Sequence, residues 1–375
     1  MKKCIIIPDS FKGSLSSVEI CNIAKETIPS VFPDCEIVSI PIADGGEGTV
    51  DCFVAATGAE RVFMQAEGPF GEPVTASYAR KGSDAVIEMA QAAGIMLAKD
   101  HPDPVKAGTF GVGEMIRDAV EKGCRHILIG IGGSASNDGG CGCAAALGVK
   151  FFDKDGHTFV PVGGTLGDID TIDCMEAREF LNGVRLTVMC DVDNPLYGPN
   201  GAAYVFAPQK GADPETVRFL DDQLKRFDQV LQKELGQSVA EIPGTGAAGG
   251  IGAGLKAFFN AELISGIEAF LNMTGFDDKL DHADYVITGE GRIDFQSLQG
   301  KVLSGVAART SRRNIPLIAI VGGIDKSAGK AYESGVTAIF SINRKPLSFE
   351  ESAPFSKENY KDTLYDVMRL IQAAE

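Results

Sequence analysis

The stretch HILIGIGGSASNDGGCGCAAALG, residues 126–148, decides how this chain is read. It opens on a β-branched apolar run, passes through a glycine-dense turn and resumes as small residues of helical character. A strand that feeds such a turn and helix is the βα step of an α/β fold, and the turn lies where anions bind. Here the turn carries Asn137 and Asp138 where a P-loop carries Gly-Lys-Ser. No G-x-x-x-x-G-K-[ST] occurs anywhere in the chain, which excludes a P-loop NTPase.

Outward from that turn the alternation of strand and helix continues. CIII (4–7) reads as a strand and SSVEICNIAKETI (16–28) as a helix, with Ser16 and Glu19 placed as a capping box. EIVSIPI (36–42) is a second strand, followed by a helix over 47–56. VTASYAR (74–80) and DAVIEMA (84–90) are joined by KGS and read as a hairpin; FFDKDGHTFVPVGG reads as another, turning at DKDG. RLTVMCDV (185–192) is a strand, and 213–236 a long amphipathic helix of the solvated surface type. From residue 265 the plain alternation returns, with strands at 283–289, 315–323 and 336–342 and a closing helix over 357–374. The expected fold class is therefore α/β with two different α/β domains. One is a discontinuous, doubly wound (Rossmann- or flavodoxin-like) parallel sheet from 1–66 and 262–375. The other is an α/β domain inserted at 67–261, with the active site expected in the cleft between them.

Composition narrows the function. The 375 residues carry a net charge of −16 with the acids spread along the chain, which speaks against nucleic acid. The N-terminal MKKCIIIPDS stops at Pro8, too soon for a signal peptide, and no run approaches the length of a membrane helix. Nine cysteines without paired C-x-x-C modules read as reduced thiols, so a cytoplasmic, soluble protein is expected.

Ligands in open α/β sheets bind beyond the carboxyl ends of strands. At those positions the sequence places Ser10 and Lys12 (PDSFKGS), Asp44 and Glu47 (ADGGEGT), and Ser134, Asn137 and Asp138. Asp191 and Asn194 (CDVDNPL) and Glu290, Arg292 and Asp294 (GEGRID) complete the set. Each has an ordinary structural alternative. Asp44 with Glu47, and Asp138 before two glycines, suit helix caps; Asn194 before proline suits a turn. Their recurrence at strand after strand is what points to a site. GIGGSA (130–135) and GTGAAG (244–249) match dinucleotide fingerprints in form, but a hairpin follows the first and no convincing strand precedes the second. The four histidines lie outside the glycine-rich turns, which demotes serine-triad chemistry. A nicotinamide oxidoreductase and a non-catalytic metabolite sensor are the rival classes.

PDSFKGSLSS, PIADGGEGT, GIGGSASNDGG, CDVDNPLYG, PQKGA, GTGAAGGIG and ITGEGRIDFQSLQGK resemble, in order, the motifs of bacterial class I glycerate kinases. The resemblance spans residues 3–342. It implies two α/β domains and transfer of the γ-phosphoryl of ATP to D-glycerate with Mg²⁺, the product being 2-phosphoglycerate. Phosphoryl transfer asks mainly for alignment and charge compensation. On that footing Lys12 is expected to offset phosphoryl charge, and Asp191 to be the base, with Asp138 next. Ser10, Asp44, Asn137, Asn194 and Glu290 are expected at the substrate, with Arg292 on its carboxylate. Gly130, Gly132, Gly133, Ser134, Gly246, Gly249 and Gly250 are expected to line the nucleotide, and Asp294 and Glu290 to hold the metal.

Overall fold

The structure, a computed structural model, describes residues 1–43, 45–46, 48–293 and 302–375. The chain divides into two compact units. The first comprises Met1–Asp44, Asp51–Gly58 and Ser265–Glu375; the second comprises Gly45–Val50 and Ala59–Ile264.

The first unit is built on a five-stranded, wholly parallel sheet. Its strand order is Ala338–Ser341, Leu317–Val321, Tyr285–Gly289, Lys3–Pro8, Glu36–Ser39. Such strands, covered on both faces, must be apolar throughout, and Leu317–Val321 is buried at every position. Helices Ser17–Thr27 and Ser356–Ala374 pack together against the sheet; Ile20, Ile23 and Ala24 meet Tyr360, Leu364 and Met368 in one core. The capping box at Ser16 and Glu19 is formed, satisfying N–H groups that the first turn cannot bond internally. In sequence order the strands of this sheet run 2-1-3-4-5, and the order reverses between Lys3–Pro8 and Tyr285–Gly289. That reversal is a topological switch point, where the connections leave in opposite directions and open a crevice at the carboxyl ends.

The second unit holds a six-stranded mixed sheet. Glu262–Ile264, Arg185–Met189, His126–Gly130 and Asp84–Glu88 are parallel; Pro73–Lys81 and Glu60–Glu67 continue it antiparallel. The unit therefore starts at Ala59, earlier than the expected 67, because Glu60–Glu67 pairs along its whole length with Pro73–Lys81. Helix Phe110–Glu121 covers one face, burying Val112, Met115, Ile116 and Ala119 against Ile87, Ile127 and Ile129. A second core gathers Phe151, Phe227 and Phe258 under helix Pro214–Leu235, whose buried Val217, Leu220, Leu224, Phe227 and Leu231 recur at helical spacing. Asp213 caps that helix through the N–H groups of Glu215 and Thr216. A small antiparallel sheet of Lys150–Phe152, Thr158–Phe159 and Thr171–Asp173 contains the expected DKDG hairpin.

Candidate active site

Each unit presents a set of polar residues at the carboxyl ends of its parallel strands. In the first unit, Pro8 and Gly289 stand in register as their strands end, and Asp9 N–H donates to Gly289 O at 2.8 Å. The loops that follow, Asp9–Lys12 and Glu290–Arg292, are thus held side by side at the switch point. Gly291 permits the approach: a Cβ there would stand 3.3 Å from Phe11 Cα and 3.4 Å from Lys12 N. Behind it, a Cβ on Gly322 would fall 2.3 Å from the Gly291 carbonyl oxygen. Ser10 N–H donates to Asp9 Oδ1 at 2.6 Å, and Lys12 is exposed. Glu290 is half-buried beside them. Arg292 extends into solvent and donates from Nη2 to Asp325 at 3.0 Å, a partner the sequence did not suggest. Asp44, Glu47 and Asp294 lie outside the described residues.

In the second unit, the strand His126–Gly130 delivers the glycine-rich loop that carries Asn137 and Asp138. Asn137 and Asp138 are both fully buried, at 0% exposure. Asp138 is surrounded by donors. Its carboxylate accepts from Thr109 N–H (2.9 Å), Thr109 Oγ1 (2.7 Å), Gly140 N–H (3.0 Å) and Gly142 N–H (3.2 Å). Burial pushes this carboxyl upward, and the hydrogen bonds pull it back toward the ionised form. Thr109 and Gly140 are the N-cap residues of Phe110–Glu121 and Cys141–Ala146, so one carboxylate serves two helix N-termini. Asp138 is expected from the sequence as a second candidate base; four internal donors give its carboxylate a structural role at the starts of these two helices.

The glycines expected to line the nucleotide also have close chain neighbours. A Cβ on Gly130 would lie 2.5 Å from the Gly45 carbonyl oxygen, and one on Gly132 would lie 2.7 Å from Gly46 Cα. Gly132 N–H already donates to Gly45 O at 3.2 Å. These two residues are glycine because the 45–46 backbone crosses directly over them. Gly246 and Gly249 likewise admit the carbonyl oxygens of Pro195 and Ser136, at 2.0 and 2.1 Å from a would-be Cβ. A Cβ on Gly250 would stand 2.9 Å from Leu196 Cδ1. Chain packing is by itself a sufficient reason for glycine at these five positions. At Gly133 a Cβ would meet only Ala90 at 3.6 Å, so its φ of +73° alone sets its identity, whereas Gly249 and Gly250 combine such a φ with close contacts.

Asn194 Nδ2 donates to Asn200 O at 2.7 Å, and its own carbonyl accepts from Gly246 N–H, so it organises the loop that ends Arg185–Met189. The turn alternative describes it better than a substrate contact does. Asp191 is exposed in that same loop, just past the strand.

Two residues went unmarked in the sequence. Glu88 ends the strand Asp84–Glu88, is 3% exposed and accepts from Val50 N–H at 2.6 Å. Lys210, in the PQKGA segment, is 2% exposed and donates from Nζ to Ser134 Oγ at 2.7 Å and to Ser136 O at 2.6 Å. A lysine set between glutamine and glycine just after proline gave a motif but no sign of burial. All nine cysteines are free thiols, and burial raises the Cys141 and Cys143 thiols out of the reactive range.

A family model described as "Glycerate kinase family" matches residues 4–372. The chain is 44% identical to a glycerate kinase of Halalkalibacterium halodurans, over 94% of this chain and 93% of that one. It is 44% identical to the glycerate 2-kinase of Escherichia coli K12, over 91% and 90% respectively. The crystal structure of a candidate glycerate kinase 2 from Salmonella typhimurium LT2 superposes with a TM-score of 0.89 at 40% identity, covering 100% of this chain and 99% of that chain.

Proposed function

This chain belongs to the glycerate kinase family, and we propose that it transfers the γ-phosphoryl group of ATP to the 2-hydroxyl of D-glycerate. The family match across nearly the whole chain carries this reading. Transfer to the 2-hydroxyl is favoured by the name of the Escherichia coli relative, glycerate 2-kinase.

The residues divide the work as phosphoryl transfer requires, with positioning and charge compensation doing more than covalent chemistry. Lys12, exposed at the switch point, offsets the charge of the transferring group. Ser10 and the 290–292 loop orient the reactant bound there. Arg292 takes the glycerate carboxylate by exchanging its Asp325 partner for it, one anionic acceptor for another. Asp191, an exposed carboxylate at a strand end, accepts the proton of the attacking hydroxyl. The donor set of Glu290 with Asp294 is carboxylate oxygen only, which is what Mg²⁺ takes. These two carboxylates would hold the ion, which would supply charge compensation to the phosphate oxygens. Nine free thiols fit a reducing compartment, so we place the protein in the cytoplasm.

The test is incubation with ATP, Mg²⁺ and D-glycerate, followed by phosphorus NMR of the product. A phosphate on the 2-oxygen couples to one carbon-bound proton and gives a doublet; one on the 3-oxygen couples to two and gives a triplet. A doublet is expected. A triplet overturns the 2-hydroxyl assignment, and the absence of any ADP overturns the kinase reading.

A further inference from the structure

The Lys210 ammonium is buried, yet both of its hydrogen-bond acceptors, Ser134 Oγ and Ser136 O, are neutral. The charged group that faces it is Asp138, whose own carboxylate is engaged by Thr109, Gly140 and Gly142. An ammonium taken from water and given neutral acceptors is electrostatically incomplete. Burial accordingly pushes Lys210 down to about 7, against a smaller upward pull from Asp138.

The loop it grips is incomplete as well. Ser136 Oγ and both polar atoms of the Asn137 amide are buried and find no hydrogen-bond partner among the described residues. The hydroxyl of Ser134 accepts from Lys210, so its single proton points away from the ammonium and is polarised by it. Ser134 through Asn137 therefore combine a buried cation, an oriented hydroxyl and unpartnered polar atoms on one turn.

We infer that Lys210 is a positioning residue and the buried counter-charge of an anion subsite on the Gly133–Asn137 loop, acting through the Ser134 hydroxyl on a carboxylate or phosphoryl oxygen. This rests on the proposed kinase reading, in which both reactants are anions. An arriving anion favours the charged lysine, so binding takes up a proton at a pH where the free protein holds Lys210 neutral.

The experiment is calorimetric titration of the full chain at pH 8 in Tris and in HEPES, whose ionisation heats differ, with Mg·ATP alone and with D-glycerate alone. Wild type is expected to take up about 0.5–1 proton per site with one of the two, which identifies the source of the oxygen. K210M is expected to lose that uptake and to bind the same titrant about 10- to 100-fold more weakly. K210R, which stays charged, is expected to regain affinity without proton uptake. The same uptake in K210M, or none in wild type with either titrant, overturns the inference. Should K210M fail to fold, wild type labelled at lysine Cε carries the test. One resonance titrating near neutral pH and moving to higher pH on addition of titrant supports the assignment; none doing so overturns it. ADP formation by wild type is scored separately. Intact turnover with an unaltered proton balance refutes only the role of Lys210, whereas absent turnover refutes the kinase reading beneath it.

Discussion

Thr109 and Asp138, 29 residues apart in the chain, are joined by two hydrogen bonds to one carboxylate oxygen, from the Thr109 N–H at 2.9 Å and its hydroxyl at 2.7 Å. The Thr109 hydroxyl in turn accepts from Cys143 N–H at 2.9 Å. A relay of backbone amide, hydroxyl and carboxylate thus ties the starts of two helices to the turn of residues 130–140. The arrangement makes Asp138 a fastening of the loop, and that assignment has a measurable signature.

For Asp138→Ala, stability should fall by about 3 kcal/mol or more, since several buried donors lose their acceptor at once. Asp138→Asn should lose less, and its turnover well below the melting temperature should fall by less than about tenfold. Urea unfolding and steady-state kinetics on the same preparations check this. A hundredfold loss of turnover at unchanged stability would return Asp138 to the role of base.

Asp191→Asn removes the proposed proton acceptor while keeping shape and hydrogen-bonding capacity. Turnover should fall by roughly 10²–10⁴-fold with little change in unfolding midpoint. Turnover near that of wild type would take the proton-accepting role from Asp191.

Lys12→Met should lower kcat by about 10²-fold or more, because compensation of developing charge acts chiefly in the transition state. Arg292→Met should instead raise the KM for glycerate, with a smaller effect on kcat. Rapid-mixing and steady-state assays separate the two. A rise confined to the KM for ATP in Lys12→Met would show that the lysine binds nucleotide without assisting transfer.

Gly249→Ala places a Cβ 2.1 Å from the Ser136 carbonyl oxygen at a residue whose φ is +74°. A cost of about 2 kcal/mol or more is expected from the overlap and the left-handed backbone together. Because Ser136 O is also an acceptor for Lys210, the variant should weaken anion binding before it abolishes folding. Wild-type denaturation and binding curves would contradict the packing account of this glycine.

Lys210 also predicts how stability depends on pH. Its titration in the folded protein is pushed down to about 7, while the unfolded chain keeps the ordinary lysine value near ~10.4. Between those limits the unfolded state binds more protons, so stability rises with pH. The penalty of burying the charged form is fully present below pH 7 and is relieved as the pH climbs. Relative to K210M, wild type should gain up to about 1.4 kcal/mol per pH unit between pH 7 and 10. Urea midpoints at three pH values measure this, and parallel curves for the two proteins would rule it out.

Much of the architecture was legible in the sequence because periodicity and turn chemistry are local. The Ser16–Glu19 capping box and the hairpins at KGS and DKDG were all read correctly. The boundary near residue 60 was not, since the eight residues of Glu60–Glu67 show their allegiance only through pairing with Pro73–Lys81. For the candidate site, the sequence marked loops that the fold does bring to strand ends, but not the hydrogen-bond partners of the residues within them. Asp138 and Asn194 look alike as candidates for chemistry and for structure until their donors and acceptors are seen.

What the amino-acid order determined by itself was the α/β class, the discontinuous first sheet and the strand ends at which polar residues gather. Those follow from short-range spacing of apolar, glycine and capping residues. Which carboxylate is exposed and which is encased, and which glycine makes way for backbone, was decided only by tertiary packing. The buried lysine beneath the Ser134–Asn137 turn was decided the same way. The physical reason is that the free energy of a charge or a Cβ depends on what surrounds it, and the chain brings those surroundings from positions far away in sequence: Ser134 from 76 residues, Thr109 from 29.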